Sequence, residues 1–205
     1  YVIVPTAGVK AWLMPELARR FGARPGFSDG VVANIEVGYV GMLNRFIAPE
    51  RVTSDDPWSI DRMTARLLTI FSANPEHVYY QELIERCGGP LRAARRMADR
   101  FDRYAVRRPG MIVAWENGSP ILTAESSTEV LDNEYVMRAL SNEQMPQFEL
   151  WRELRAAIDQ PSWPMVTAQL LDSIANGTKI EGVPVRLLVV GLQSLSLQNL
   201  RVLEA

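Results

Sequence analysis

The chain has 205 residues, 47% apolar and 22% charged, enough to bury a real core and ordinary for a globular protein. A net charge of −2 argues against a generic nucleic-acid coat but leaves room for a local basic site, since basic charge concentrates between Arg92 and Arg108 while the stretch from Glu116 to Glu149 is acid-rich. Cys87 is the one cysteine, which excludes an internal disulfide and a cysteine-rich zinc site, and no apolar run approaches the ~20 residues that span a bilayer. With no signal peptide expected either, these features fit the cytoplasm of a bacterium, with no membrane partner expected.

Residues 1–5 are a β-branched run ending at Pro5, which suits a buried strand. Thr6-Ala7-Gly8 makes a turn, and Val9, Trp12, Leu13, Leu17 and Phe21 follow helical spacing over 9–21 before Gly22 and Pro25. Residues 31–37 form a second strand candidate, followed by Gly38 and a helix over about 39–48. Two strand–turn–helix units in so short a stretch are the pattern of a parallel α/β sheet.

The character changes at Asp56-Pro57, which caps a helix running to about Ala73, with Pro57 at the first helical position. Further helices are expected at about 77–86, 90–106, 109–116, 146–159 and 163–176. The polar segment 117–145 reads as a surface excursion with at most one short helix. Val185 to Val190 is a strongly apolar strand, and a helix begins near Leu197. We therefore expect a parallel α/β part made of residues 1–55 and 180–205, enclosing a helical insert of residues 56–179. Because Tyr1 opens directly in an apolar run and the last residues read as a helix cut in mid-pattern, the chain is expected to be a piece of a longer polypeptide.

The chemistry of catalysis is sparse. His77 is the lone histidine and sits at a helix start beside Tyr79 and Tyr80, where a surface or capping role is the ordinary one; no zinc cluster or nucleophile–histidine pair accompanies it. Thr6-Ala7-Gly8-Val9-Lys10-Ala11 has one glycine and one lysine, which is not a phosphate loop. Val189-Val190-Gly191-Leu192 ends a strand without the carboxylate that a nucleotide-hydrolysing site uses to hold its metal. Asp55-Asp56 and the pair Asp99 and Asp102 are better explained by caps and helix faces than by metal binding. No catalytic residue, cofactor or metal is expected in this chain.

Leu91 to Arg108 is the distinctive segment. At 3.6 residues per turn, Leu91, Ala94, Met97, Ala98, Phe101, Tyr104 and Ala105 share one face, and Arg92, Arg96, Arg100, Arg103 and Arg107 the opposite one. Asp99 and Asp102 lie on the shoulder near Arg95. A solvated amphipathic face with ordinary surface pairs explains the apolar stripe completely. It explains less well why every cation but Lys10 and Lys179 is arginine, the residue whose planar fork suits phosphates and base edges, although GC-rich genomes also favour arginine codons.

Several segments stand in order along the chain: Val4-Pro5-Thr6-Ala7-Gly8-Val9-Lys10-Ala11-Trp12-Leu13, Ala33-Asn34-Ile35-Glu36, Ala98-Asp99-Arg100-Phe101-Asp102-Arg103-Tyr104, Arg108-Pro109 and Ala114-Trp115-Glu116. Leu150-Trp151-Arg152, Gln160-Pro161 and Val190-Gly191-Leu192-Gln193-Ser194-Leu195 follow, so that the set spans nearly the whole chain. In this order they resemble the RecC family, the gamma subunit of exodeoxyribonuclease V: the first is similar to its strand–polar turn–helix segment and the second to its Ala-Asn-Ile-Asp.

The resemblance implies an α/β fold: a degenerate superfamily 1 helicase (RecA-like P-loop NTPase) domain with parallel strands and a large helical insert. It implies a non-catalytic DNA-guiding and scaffold region, with RecB-like and RecD-like partner subunits that use ATP and Mg, and with single-stranded and forked DNA as ligands. DNA contact then falls to Asp99, Arg100, Asp102, Arg103 and Arg108, with Thr6 and Lys10 in the first turn and helix. Recognition of a Chi-like sequence is less supported. Polar family positions fall here on Pro5, Ala7 and Ala11, an aromatic one near Arg45, and a basic one near Met165. The alternatives are a protein-interaction module whose arginine face meets an acidic partner, and part of an active helicase whose ATP site lies upstream.

Overall fold

The structure, a computed structural model, describes residues 1–22, 30–43, 46, 48–49, 52, 55–122, 138–139, 144–178, 186–193, 195 and 197–204. The fold is mixed α/β and mostly helical, with a small parallel sheet. It divides into two compact units, one of Tyr1–Val52 with Gly177–Leu195 and one of Thr53–Asn176 with Ser196–Ala205.

The first unit is built on β1 (Val2–Ile3), β2 (Val37–Gly38) and β5 (Leu188–Val189), in the order β2-β1-β5. Both pairings are parallel: Val2 faces Val37 and Leu188, and Ile3 faces Gly38 and Val189. The ladder is made by Val2 N–H donating to the Glu36 carbonyl, Val4 to Gly38, Leu188 to Tyr1 and Val190 to Ile3, each at 2.9 Å. Parallel neighbours require crossover connections, and the central β1 is buried through Val2, Ile3 and Val4.

Several sequence expectations change here. The strand over 1–5 pairs only at Val2–Ile3. The strand over 31–37 contracts to Val37–Gly38, because Asn34 adopts a left-handed conformation (φ 58°) that breaks an extended run. The apolar strand over 185–190 pairs only at Leu188–Val189, and these side chains are 56% and 38% exposed rather than buried; residue 185 lies outside the described residues. The expected helix over 39–48 opens as a 3₁₀ turn at Val40–Met42 and is α-helical at Leu43 and Phe46, while residues 44, 45 and 47 lie outside the described residues. Helix α1 (Ala7–Leu17) starts two residues earlier than expected, since Thr6 is its N-cap and its hydroxyl accepts from Val9 N–H at 3.2 Å. Pro15 lies inside α1, and a π turn over Ala18–Gly22 follows.

The second unit holds α2 (Ile60–Ala73), α3 (Val78–Cys87), α4 (Pro90–Arg107), α5 (Pro109–Glu116), α6 (Met145–Ile158), α7 (Trp163–Ala175) and α8 (Leu197–Glu204). Its core joins Leu67 and Phe71 of α2, Tyr80 of α3, Met97 and Phe101 of α4, Trp115 of α5, and Trp151 and Leu154 of α6. Trp151 stacks on Trp58 at 5.0 Å and meets the edge of Phe101 at 5.1 Å. Helix α2 begins at Ile60 rather than at Asp56-Pro57. The Asp56 carboxylate instead accepts from Trp58 N–H at 2.9 Å and from Trp163 Nε1 at 2.7 Å, making a local turn in place of a cap.

The 117–145 excursion contains a feature absent from the sequence reading. β3 (Ile121–Leu122) pairs antiparallel with β4 (Arg138–Ala139). Residues 123–137 and 140–143 lie outside the described residues. No helix of the described residues is long and apolar enough to cross a membrane.

Candidate nucleic-acid interface

Helix α4 owes its position to a glycine hinge. Gly88 takes φ +72°, ending α3 in the left-handed conformation, and Gly89 N–H closes back on the Ile84 carbonyl at 2.9 Å. Pro90 then occupies the first position of α4, where its missing N–H costs nothing. Ala93, Ala94, Met97, Ala98 and Phe101 are fully buried against the neighbouring helices, while Leu91, assigned from spacing to the same face, is 61% exposed in the first turn. The alanines allow a close helix–helix approach, which leaves the arginines on the outer face.

At its far end α4 turns into α5 through Arg108. The Arg108 N–H donates to the Tyr104 carbonyl at 2.8 Å, and its own carbonyl accepts from Met111 and Ile112 at 3.0 and 3.2 Å. Its guanidinium lies 5.7 Å from the Tyr104 ring centroid, within cation–π range. The Tyr104 hydroxyl donates to Gln147 Oε1 of α6 at 3.1 Å, which fixes that ring. Arg100, Arg103, Arg107 and Arg108 thereby surround Tyr104 in a half-open groove of about 400 Å³.

Four arginines lining one groove with Tyr104, the Arg108 guanidinium over its ring and Trp115 at its edge, make a surface whose planar forks suit phosphate oxygens.

The two aspartates lie elsewhere on the helix. Asp99 Oδ1 meets Arg95 Nε at 3.5 Å and its backbone carbonyl accepts from Arg103 Nε at 3.3 Å, while Arg95 also bonds Asp61 of α2. Asp102 lines a small cavity with Trp58, Trp151 and Trp163. Burial pushes its carboxyl above the usual range; the Asp99 charge adds to that push and Arg103 opposes it. Of the positions singled out from sequence, the structure brings Arg100, Arg103 and Arg108 together in one groove and sets Asp99 and Asp102 on another shoulder. Thr6 and Lys10 belong to the first unit, where Thr6 caps α1 and exposed Lys10 closes its first turn by donating from its backbone to the Thr6 carbonyl at 3.1 Å.

Tyr104 and Arg107 complete the groove and were not among the site residues read from sequence. Arg107 could have been found from its four-residue spacing to Arg103. Tyr104 could not, because spacing assigns it to the apolar face. His77 stacks on Tyr80 at 3.9 Å, the ordinary fate of an aromatic at a helix start.

A larger network supports the α5–α7 side. Glu116, whose side chain is 4% exposed, accepts from Arg155 Nε of α6 at 2.9 Å and from Ser162 N–H at the start of α7 at 3.1 Å. This makes Ala114-Trp115-Glu116 and Gln160-Pro161 framework segments: Trp115 is buried, and the Pro161 carbonyl accepts from Trp58 Nε1 at 3.0 Å.

A small parallel sheet and a helical unit with an arginine face define a mixed α/β, mostly helical class of fold. The family model for the RecC N-terminal domain matches residues 1–205, and the chain belongs to that family. It is similar to the RecBCD enzyme subunit RecC of Mycobacterium tuberculosis (strains CDC 1551 / Oshkosh and H37Rv), with 32% identity over 131 residues. It is also similar to the RecBCD enzyme subunit RecC of Mycolicibacterium smegmatis, with 33% identity over 129 residues. These alignments cover 57% and 56% of this chain, but only 12% and 11% of the relatives, so the chain corresponds to a small part of their length.

Proposed function

We propose that this domain is a non-catalytic DNA-guiding and scaffold region of a RecBCD-type helicase–nuclease acting in double-strand break repair and recombination. The observation that carries the reading is the groove in which Arg100, Arg103, Arg107 and Arg108 surround Tyr104. Phosphate contacts position a strand. The parallel order β2-β1-β5 supports descent from a RecA-like helicase domain. The Thr6–Lys10 turn and the carboxylate-free Val189–Leu192 segment support loss of the nucleotide site. In this reading ATP and Mg are used by RecB-like and RecD-like partner subunits in the bacterial cytoplasm. Asp99 and Asp102, on the other shoulder of α4, form a separate contact surface whose carboxylates accept from base amino groups, the part of the reading that extends to Chi-like recognition. Thr6 and Lys10 are proposed contacts of the first unit.

The test compares wild-type, Arg103→Ala and Arg107→Ala subunits, each in its native complex, on forked DNA over a range of salt. Each lost phosphate contact on a single strand should flatten the slope of log affinity against log salt by about 0.7. Equal affinities and equal slopes would leave α4 a structural helix only and would overturn the reading.

A further inference from the structure

We infer that a second groove, between α3, α4 and the first turn of α6, takes one unpaired base of the guided strand, with the flanking phosphates held by Arg86, Arg96 and Arg100. The inference rests on the DNA-guiding reading and deepens it by naming a nucleotide pocket. The groove measures about 820 Å³, within the range of pockets that enclose small ligands. Its lining is chiefly apolar, with Val78, Tyr79 and Leu83 on the α3 side and arginines from α3 and α4 at its rim. Val78 is 67% exposed, so the groove offers unpartnered apolar surface beside fixed positive charge. That pairing is the chemistry of a base attached to a phosphodiester chain.

Continuity with the first groove decides for a strand over an isolated small molecule. Arg100 lines both grooves. The Tyr104–Gln147 hydrogen bond joins a residue that lines one groove to a residue that lines the other. Burial pushes the Tyr79 hydroxyl up and the charges of Arg100 and Arg86 oppose that push, and all three residues line the same groove. Successive arginines at Arg96, Arg100 and Arg103 or Arg107 step along α4 by three or four residues, roughly 4.5–6 Å, which is of the order of one nucleotide step. A backbone following that row passes the mouth of the Tyr79 groove. Glu82 on the α3 wall repels phosphate and can accept from a cytosine or adenine amino group, so the base enters toward α3 while the backbone stays on α4.

The experiment uses the complete subunit in its native complex, bound to forked DNA carrying a single 5-iodouracil at successive positions of each arm. After irradiation, crosslinked peptides are mapped by mass spectrometry. The expected result is a crosslink to Tyr79 from a narrow window of positions. It should survive in Tyr79→Phe, and fall about ten-fold in Tyr79→Leu and in Arg86→Gln. Crosslinks confined to Tyr104, with none at Tyr79, would overturn the pocket while leaving the DNA-guiding reading in place. No crosslink anywhere in the helical unit, together with unchanged salt slopes in the Arg103 and Arg107 variants, would overturn both. If Tyr79→Leu and Arg86→Gln instead release a partner subunit and no DNA crosslink forms at Tyr79, the groove is a protein-docking site and the inference fails.

Discussion

Glu116 ends α5 with a carboxylate that is 4% exposed and bonded to both Arg155 and the Ser162 N–H, so its replacement by alanine tests how the helical unit is held together. Loss of the acceptor leaves the Ser162 N–H without its bond, and Ser162 is 1% exposed, which costs about 1–3 kcal/mol. Breaking a fully buried ion pair costs ~3–5 kcal/mol, but the Arg155 side chain is 29% exposed and recovers water. Its share is therefore nearer ~1 kcal/mol. Together these give about 3 kcal/mol. With a urea dependence of ~2 kcal/mol per molar for a domain of this size, the unfolding midpoint should fall by about 1.5 M. Tryptophan fluorescence reads the right unit, because Trp58, Trp115, Trp151 and Trp163 all lie in it. Arg62→Ala, which removes an exposed pair with Asp55, is the control and should shift stability by less than ~1 kcal/mol. A Glu116→Ala chain within ~0.5 kcal/mol of wild type would refute the claim that this buried acceptor joins α5, α6 and α7.

Two further outcomes are expected. Since the Asp102 carboxyl is raised in the folded state by burial and by Asp99, the native protein binds that proton more readily than the unfolded chain, so this group's contribution to stability rises as pH falls through the folded value. Asp102→Asn should accordingly stabilise the protein at neutral pH and lose its advantage below the unfolded carboxylate range, as read by thermal melts from pH 3 to pH 7; equal melting temperatures throughout would refute the assignment. Gly88→Ala places a side chain at φ +72° and should cost about 1–2 kcal/mol in urea unfolding, whereas the same change at Gly41, which has open space and no positive φ, should not.

The helices were legible because their signals are local. Gly88-Gly89-Pro90 punctuates α3 and α4, Pro109 opens α5, and apolar spacing places α3 to α7 within about two residues of their observed ends. The strands were less legible, since apolar runs such as 31–37 and 185–190 carry no mark of where pairing stops. Asn34 cuts the first by its backbone angle, and the second pairs only where β1 lies alongside it. Asp56 misled for a related reason. Its carboxylate had two uses, and the distant Trp163 Nε1 helped decide which one was taken.

For the candidate site, sequence by itself determined the amphipathic helix: the period of Arg92, Arg96, Arg100, Arg103 and Arg107 opposite Ala94, Met97 and Phe101 is a property of the chain read alone. Only the tertiary structure decided what that face becomes. It turned Tyr104 toward Gln147 and seated Arg108 over its ring, making a groove rather than a flat basic stripe. It set α3 beside α4 so that Tyr79 and Arg86 form a second groove sharing Arg100. It also placed Asp102 at a small cavity lined by Trp58, Trp151 and Trp163, where burial outweighs the pull of Arg103 on its carboxyl. The physical reason is that helical period assigns each side chain to a face, whereas a groove needs walls from separate helices. Those walls are placed by burial of the shared core, which joins residues far apart in the chain.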